Sequence, residues 1–214
     1  DIDSVDHPVS ISLGFVRAQQ NHGNGSDLLK DASIAIKRAK AAGQGQFSYY
    51  TPEVGLETKD RTRLLHDLRV AFKQEALTVH YQPQVELATN RVVGVEALLR
   101  WRTEAGKFIP PDQFIPIAEQ SGLIVALGTW VLHTSLKAVM RLRESGSPQM
   151  RVAVNVSPTQ FRQPNFVSIV DNAMTSIGAP ADALELEITE SVAIMGPEFV
   201  EQVLGAPARQ TPAP

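Results

Sequence analysis

The sequence predicts an α/β fold in which strands of a mostly parallel sheet alternate with helices. Residues 152–157 and 183–189 alternate aliphatic and polar side chains, which is typical of strands. Apolar residues recur at helical spacing in residues 129–143, before the first of these strands, and in residues 164–177, between the two. Such alternation favours a parallel architecture, either an open sheet or a barrel. In both architectures, ligands bind at the carboxyl ends of the strands.

Composition narrows the possible classes of protein. The 214 residues leave room for one large domain or two small ones, and 43% hydrophobic and 20% charged residues indicate a globular chain. A net charge of −3 gives no electrostatic case for binding a nucleic-acid polymer or a membrane surface. The absence of cysteine excludes disulfides and thiolate metal sites and fits a reducing compartment, so we expect a cytoplasmic protein.

No membrane segment or signal peptide is predicted. The longest apolar stretch, residues 122–132, has about half the length that a bilayer requires. The first residues lack a basic region followed by an apolar core. Because the chain begins within a strand pattern and without Met, we expect it to be a fragment of a longer protein, with a sensor-linked and a membrane-anchored form as the alternatives.

The first part of the chain predicts a small α+β module. Residues 9–16 alternate as a strand does, and Ser26 or Asp27 is expected to cap a helix that ends near Gly43. Residues 44–53 predict a short strand and a connector. An amphipathic helix within residues 53–76 then connects this module to a second one.

The second part predicts the α/β module itself. It opens with a hairpin-like pair, in which a strand over residues 77–87 ends at Asn90 and is followed by the strand that carries Glu96. The later predicted elements are a loop and helix over 112–126, a helix over 129–143, a strand over 152–157, a helix over 164–177, a strand over 183–189 and a helix from Glu198 to Leu204.

Two charges stand out in the strand that contains the sequence Glu-Ala-Leu-Leu-Arg-Trp at 96–101. Strand alternation places Glu96 and Arg100 on one face, and Val95 and Leu99 on the other. Charges on a buried strand are costly unless they are paired. A divalent metal would pair the carboxylate and a phosphate would pair the guanidinium, although a lone arginine is also a common ion-pair partner.

Two later strands carry oxygen donors on the corresponding face. Asn155 interrupts a valine-rich strand, and Glu187 lies on the face opposite the aliphatic residues of its strand. In a barrel, the aliphatic faces would meet the outer helices and Glu96, Asn155 and Glu187 would point toward a common axis. These oxygen ligands suit Mg²⁺ or Mn²⁺ better than zinc or copper. Alternatively, Glu187 is a solvated residue on a half-exposed strand, while Gln82 either reads a base edge or caps a turn.

Five segments, in the same order and spacing, resemble the EAL domain, a bacterial phosphodiesterase module that hydrolyses cyclic di-GMP. They are Tyr-Gln-Pro-Gln-Val at 81–85, Glu-Ala-Leu-Leu-Arg-Trp at 96–101, Phe-Ile-Pro-Ile-Ala-Glu at 114–119, Val-Asn-Val-Ser at 154–157 and Leu-Glu-Ile-Thr-Glu-Ser at 186–191. The three letters Glu-Ala-Leu carry no weight alone, because they recur at 75–77.

The resemblance implies a TIM-like barrel with one antiparallel strand, of which residues 77–204 would form the N-terminal half. It implies metal-dependent hydrolysis of cyclic di-GMP to the linear dinucleotide pGpG, with Mg²⁺ or Mn²⁺ as cofactor. By motif, Glu96, Asn155 and Glu187 would be metal ligands. Gln82 and Arg100 would bind the substrate, Arg100 through its phosphate.

Residues 1–52 resemble the C-terminal part of a GGDEF domain, the diguanylate cyclase module that often precedes EAL. The segment Ser-Ile-Ser-Leu-Gly at 10–14 matches its late strand, and residues 32–43 match its last helix. Ser33 and Lys37 stand where that family usually carries other residues, and the Gly-Gly-Asp-Glu-Phe signature is absent. We therefore expect no cyclase activity.

The EAL pattern is expected to stop early in this sequence. The later Asp-Asp-Phe-Gly motif and the catalytic Lys, Glu and Gln of the family are absent, and residues 205–214 form a tail rich in proline and alanine. The sequence thus predicts a truncation, by frameshift or early stop, and a half-barrel that is inactive and self-associates through an exposed edge. A non-catalytic cyclic di-GMP-binding or regulatory module and a non-functional remnant are the alternative functions.

Overall fold

The computed structural model describes residues 9–18 and 24–188. The packing of the backbone divides the chain into two compact units, one up to Leu64 and one from Leu65 onward. The predicted helix from Glu198 and the tail at 205–214 lie outside the described residues.

The first unit contains two short strands and a helix. Strand β1, Leu13–Phe15, pairs in parallel with β2, Phe47–Tyr49, and helix α1, Gly25–Ala41, connects them. The predicted strand over residues 9–16 is too long, because β2 offers only three residues for pairing. The rings of Phe15 and Tyr49 stack with their centroids 5.0 Å apart.

The N-terminus of α1 differs from the prediction. Asn24 is the N-cap, and its side chain accepts a hydrogen bond of 3.0 Å from the backbone N–H of Asp27. Ser26 and Asp27, the predicted caps, are instead residues of the first turn. An acidic residue there interacts favourably with the positive end of the helix dipole, which explains why the composition resembles a cap. The predicted end is confirmed, since Gly43 follows the helix with φ of 126°.

The second unit is built on a five-stranded sheet. Its strands are β3, Leu77–Glu86, β4, Arg91–Arg102, β5, Phe108–Ile109, β6, Arg151–Val156, and β7, Leu184–Ile188. They are arranged in the order β3-β4-β6-β7, with β5 also paired to β4. Strand β3 is antiparallel to β4, which confirms the predicted hairpin, while β4, β6 and β7 are parallel. The two-residue strand β5 was not predicted, because so short a segment carries no detectable alternation.

Helices cover one side of this sheet. They are α3, Pro111–Gln120, α4, Leu123–Glu144, α5, Pro158–Phe161, and α6, Phe166–Ile177, followed by a 3₁₀ turn at Ala181–Ala183. Helix α2, Pro52–Lys73, precedes the sheet in sequence. The predicted break between residues 126 and 129 is wrong, because the chain turns at Gly122, whose φ of 74° suits glycine. The helix predicted from Pro164 begins at Phe166, and α5 takes part of the expected break after β6.

The core lies between the aliphatic face of the sheet and helix α4. Val95, Val152 and Val154 pack with Val131 and Val139 in one buried cluster. By length and composition alone, α4 is the one helix of the described ranges that could also cross a membrane. The helix buries its apolar stripe on the sheet, and this packing leaves the opposite face of the sheet to polar side chains.

Candidate functional site

The register of the sheet brings the predicted polar residues to one face. Glu96 lies opposite Gln82 on β3 and opposite Ala153 on β6, while Asn155 lies opposite Glu187 on β7. Because residues two apart on a strand share a face, all four polar side chains point to the side away from α4. The site is therefore drawn from four neighbouring strands.

A direct hydrogen bond joins two of these residues. The Asn155 amide nitrogen, Nδ2, donates to Glu96 Oε1 over 2.8 Å. The carboxylate is partly buried and the amide is exposed. The bond holds the Asn155 amide beside the Glu96 carboxylate.

The electrostatics of the face are set by clustered carboxylates. Partial burial raises the pKa of Glu187, and the negative charges of Glu96 and Glu185 raise it further. A hydrogen bond from Gln84 acts in the opposite direction and lowers this pKa. A divalent cation between the carboxylates would relieve the repulsion between Glu187 and Glu96.

Arg100 lies farther along the same face of β4. It is opposite Thr78, it is partly buried, and its Nη1 donates to the Leu99 carbonyl oxygen over 3.0 Å. It forms no ion pair with an acidic side chain of residues 9–18 or 24–188. Its remaining N–H donors are therefore available to an anionic ligand.

A cleft of about 330 Å³ opens beside Arg100 and Asn155. Helices α3 and α4 form its other wall, with apolar side chains that include Ile115 and Ile124. Its remaining polar lining comes from Glu119, Ser157 and Gln160. The sequence did not predict this cleft, because a local residue pattern does not record how strands and helices pack against each other.

The base of the cleft is held by a tight contact between β6, α5 and α4. Ser157 and Gln160 form a capping box, in which the Gln160 side chain accepts from the Ser157 N–H over 3.2 Å and the Ser157 hydroxyl accepts from the Gln160 N–H over 3.3 Å. A Cβ atom on Gly128 would overlap Gln160 Nε2. Glycine at 128 therefore makes room for the capping side chain.

Gln84 belongs to the site and was not predicted as a site residue. It lies opposite Gly94 in the β3–β4 register, and its side chain acts to lower the pKa of Glu187. Its position two residues after Gln82, on the same face, was the available signal.

The donor set fits a magnesium or manganese ion. No group of three histidine, cysteine, aspartate or glutamate side chains among the described residues is arranged to hold a metal. The cluster instead combines two carboxylates with one amide, all hard oxygen donors, and burial and neighbouring charges raise the pKa of one of these carboxylates, that of Glu187. These residues could supply part of a coordination shell that water and substrate oxygens complete.

Comparison with known proteins agrees with the architecture. The EAL domain family matches residues 65–206. The chain is 34% identical over 186 residues to the bifunctional diguanylate cyclase/cyclic di-GMP phosphodiesterase MucR of Pseudomonas aeruginosa, covering 87% of this chain and 27% of MucR. It is 32% identical over 195 residues to the cyclic di-GMP phosphodiesterase PdeR of Escherichia coli, covering 91% of this chain and 29% of PdeR.

Solved structures show the same relationship. A structure of the PaMucR phosphodiesterase in complex with c-di-GMP aligns with a TM-score of 0.62 and 40% identity, over 67% of this chain and 60% of that one. The EAL enzyme Bd1971 in a cGMP-bound form aligns with a TM-score of 0.65 at 22% identity, over 86% of this chain and 49% of that one, which shows a shared fold. The chain spans less than a third of the length of MucR and PdeR. From the family match and these relatives, the chain belongs to the EAL domain family.

Proposed function

We propose that this chain is part of a cyclic di-GMP phosphodiesterase of the EAL family, a metal-dependent hydrolase that converts cyclic di-GMP to linear pGpG. The observation that carries the proposal is the meeting of Glu96, Asn155 and Glu187 on one face of the sheet, with Arg100 on the same face. A phosphodiester substrate requires oxygen donors for a divalent cation and a guanidinium for its phosphate, and Arg100 pairs with no acidic side chain of the described ranges.

The cofactor in this proposal is Mg²⁺ or Mn²⁺. Glu96, Asn155 and Glu187 would hold it, and when bound it would supply activation of water and neutralisation of phosphate charge. The protein residues would do the remaining work. Arg100 would hold a phosphate through its unpaired N–H groups, and Gln82, opposite Glu96, would hydrogen bond to the ligand.

The cleft explains how a purine nucleotide could be accommodated. Its walls combine apolar side chains of α3 and α4 with a few polar groups, which is typical of small-molecule sites. The same surface would also suit a binding module that retains cyclic di-GMP without hydrolysing it.

The remaining parts of the proposal concern context. We propose that the first unit is the C-terminal part of a GGDEF domain, since its parallel β1–β2 pair and connecting α1 agree with the motifs at 10–14 and 32–43. The second unit would be part of a TIM-like barrel with β3 as its antiparallel strand. A cytoplasmic location follows from the reducing environment that a cysteine-free chain fits.

Titration of the purified chain with cyclic di-GMP in the presence of Mn²⁺ tests the proposal. Calorimetry would report binding and chromatography would report pGpG. Glu96→Ala should abolish both signals, while Glu104→Ala, at an exposed carboxylate in the turn after β4, should leave them unchanged. Turnover supports the hydrolase, and saturable binding without product supports the binding module instead. No binding by the unmodified chain would overturn the proposal.

A further inference from the structure

His80 lies on strand β3, opposite Leu98 in the β3–β4 register. Its neighbours Val79 and Tyr81 pack against the core cluster, so strand alternation directs the His80 side chain to the other face of the sheet. The side chain is exposed there. The imidazole ring therefore shares the polar face with Glu96, although no role has been assigned to it so far.

Leu98 marks the middle of the candidate site on β4. It lies two residues after Glu96 and two residues before Arg100, on the same face. On an extended strand, the Cα atoms of Glu96 and Arg100 are about 13 Å apart. Asn155 adjoins the Glu96 end through its hydrogen bond of 2.8 Å. A phosphate that contacts both a cation at Glu96 and the guanidinium of Arg100 would therefore lie above Leu98.

His80 can reach this position from the neighbouring strand. Glu96 and Arg100 are both diagonal to His80, one on each side of Leu98. Diagonal residues on antiparallel strands are about 7–8 Å apart, within reach of aromatic and long side chains. The ring of His80 makes no hydrogen bond or ion pair with another residue of the described ranges. Because histidine carries at least one ring N–H in either protonation state, a donor is available to a ligand above Leu98.

We propose that His80 is a substrate-binding residue, which donates a hydrogen bond from its ring to the phosphate between the cation site and Arg100. This inference rests on the proposed function, which supplies the cation and the phosphodiester. The cation and Arg100 would hold the phosphate from the two ends of the β4 segment, and His80 would hold it from the side of β3. The side chain of Leu98 has no polar group, so His80 adds a contact that the middle of β4 does not provide.

Calorimetric titration with cyclic di-GMP in the presence of Mg²⁺ provides the first test. His80→Ala should lower the affinity about tenfold, because a hydrogen bond to a charged phosphate is lost. His80→Gln keeps an N–H donor and should recover most of this affinity. His66→Ala, which removes an exposed histidine of α2, is the matched control and should leave the affinity unchanged. If His80→Ala fails to fold, His80→Leu keeps the bulk without the donor and takes its place.

A titration with inorganic phosphate separates this inference from the proposed function. In proton–carbon NMR at fixed pH with Mg²⁺ present, phosphate should move the ring signal of His80 and leave that of His66 in place. A moved His80 signal in a chain that binds no cyclic di-GMP supports the phosphate contact and overturns the proposed function alone. An unmoved His80 signal overturns the inference, and so does an unchanged cyclic di-GMP affinity in the variant that lacks the donor.

Discussion

Asn155 donates a hydrogen bond of 2.8 Å to Glu96, a residue 59 positions earlier in the sequence. The bond joins β6 to β4, two parallel strands. In the sequence, helices α3 and α4 lie between these strands. On the polar face of the sheet, this hydrogen bond links the β3–β4 hairpin to the later strands.

Replacing Glu187 with glutamine should stabilise the metal-free protein at neutral pH. The pKa of Glu187 is raised in the folded state, so its ionised form is disfavoured there relative to the unfolded chain. The stability associated with Glu187 is therefore fully present below about pH 4.3, the ordinary glutamate value, and is lost as pH rises through the raised pKa. Thermal unfolding of metal-free Glu187→Gln should show a Tm advantage at pH 7 that vanishes near pH 4. An advantage that persists at low pH would contradict this account.

Removing Arg100 should weaken cyclic di-GMP binding. A hydrogen bond that involves a charged group contributes about 1.5–3 kcal/mol, so Arg100→Ala should lower affinity by about ten- to a hundredfold. Arg102→Ala is the control, because Arg102 is exposed at the end of the same strand and lines a different cleft with residues of α2. Calorimetry measures the cyclic di-GMP affinity of both variants. Equal losses of affinity would mean that Arg100 acts only through its positive charge and not through a specific contact.

Gly128→Ala should destabilise the fold even though alanine is the better helix former. Alanine usually gains about 1 kcal/mol over glycine inside a helix, but here its methyl group collides with the Gln160 amide. Displacing that amide breaks the capping box, so we expect a net loss of about 1–2 kcal/mol in urea unfolding.

A double-mutant cycle isolates the cause of that loss. In a Gln160→Ala background the collision is absent, so Gly128→Ala should become stabilising by up to about 1 kcal/mol. A Gly128→Ala effect that is the same in both backgrounds would show that Gln160 is not the residue in the way. Gly25→Ala in α1, where a Cβ atom would meet nothing within 4 Å, serves as the reference substitution.

Arg143 should contribute more to stability than its partner Asp182. Its Nε donates to the Met150 carbonyl oxygen over 2.6 Å and its Nη1 donates to Asp182 over 3.1 Å, which ties the end of α4 to the chain on both sides of β6. The Arg143 side chain is 10% exposed and that of Asp182 is 72% exposed. We expect a loss of about 2 kcal/mol for Arg143→Met and about 0.5 kcal/mol or less for Asp182→Asn in chemical unfolding. Equal losses would assign the stability to the ion pair instead of the backbone bond.

Alternation of residues was enough to predict the polar face, but not the contacts within it. The period of two in β4, β6 and β7 places Glu96, Asn155 and Glu187 on the side opposite the aliphatic residues. The hydrogen bond between Asn155 and Glu96 depends on the stagger of β6 against β4. That stagger is a property of the assembled sheet, which no local pattern records.

Two glycines that the sequence did not single out are important because they have no side chain. A Cβ atom at Gly94 would meet the side chain of Gln84 on the paired strand β3, and one at Gly128 would meet that of Gln160 in helix α5. The actual cap of α1 was missed for a different reason. Asn24, Ser26 and Asp27 are all good capping residues, and only the backbone conformation of Asn24 selects among them.

Because the first two strands of the sheet form a hairpin and the later ones pair in parallel, the residues of the polar face come together in two steps. Gln82 and Glu96 belong to one hairpin, a local pairing that closes a short loop. Asn155 and Glu187 join only after long crossovers, whose loop-closure entropy slows the pairing of parallel strands. A chain emerging from the ribosome therefore presents the hairpin that carries Glu96 before its partners exist, and during that interval Glu96 has neither the Asn155 amide nor the Glu187 carboxylate near it.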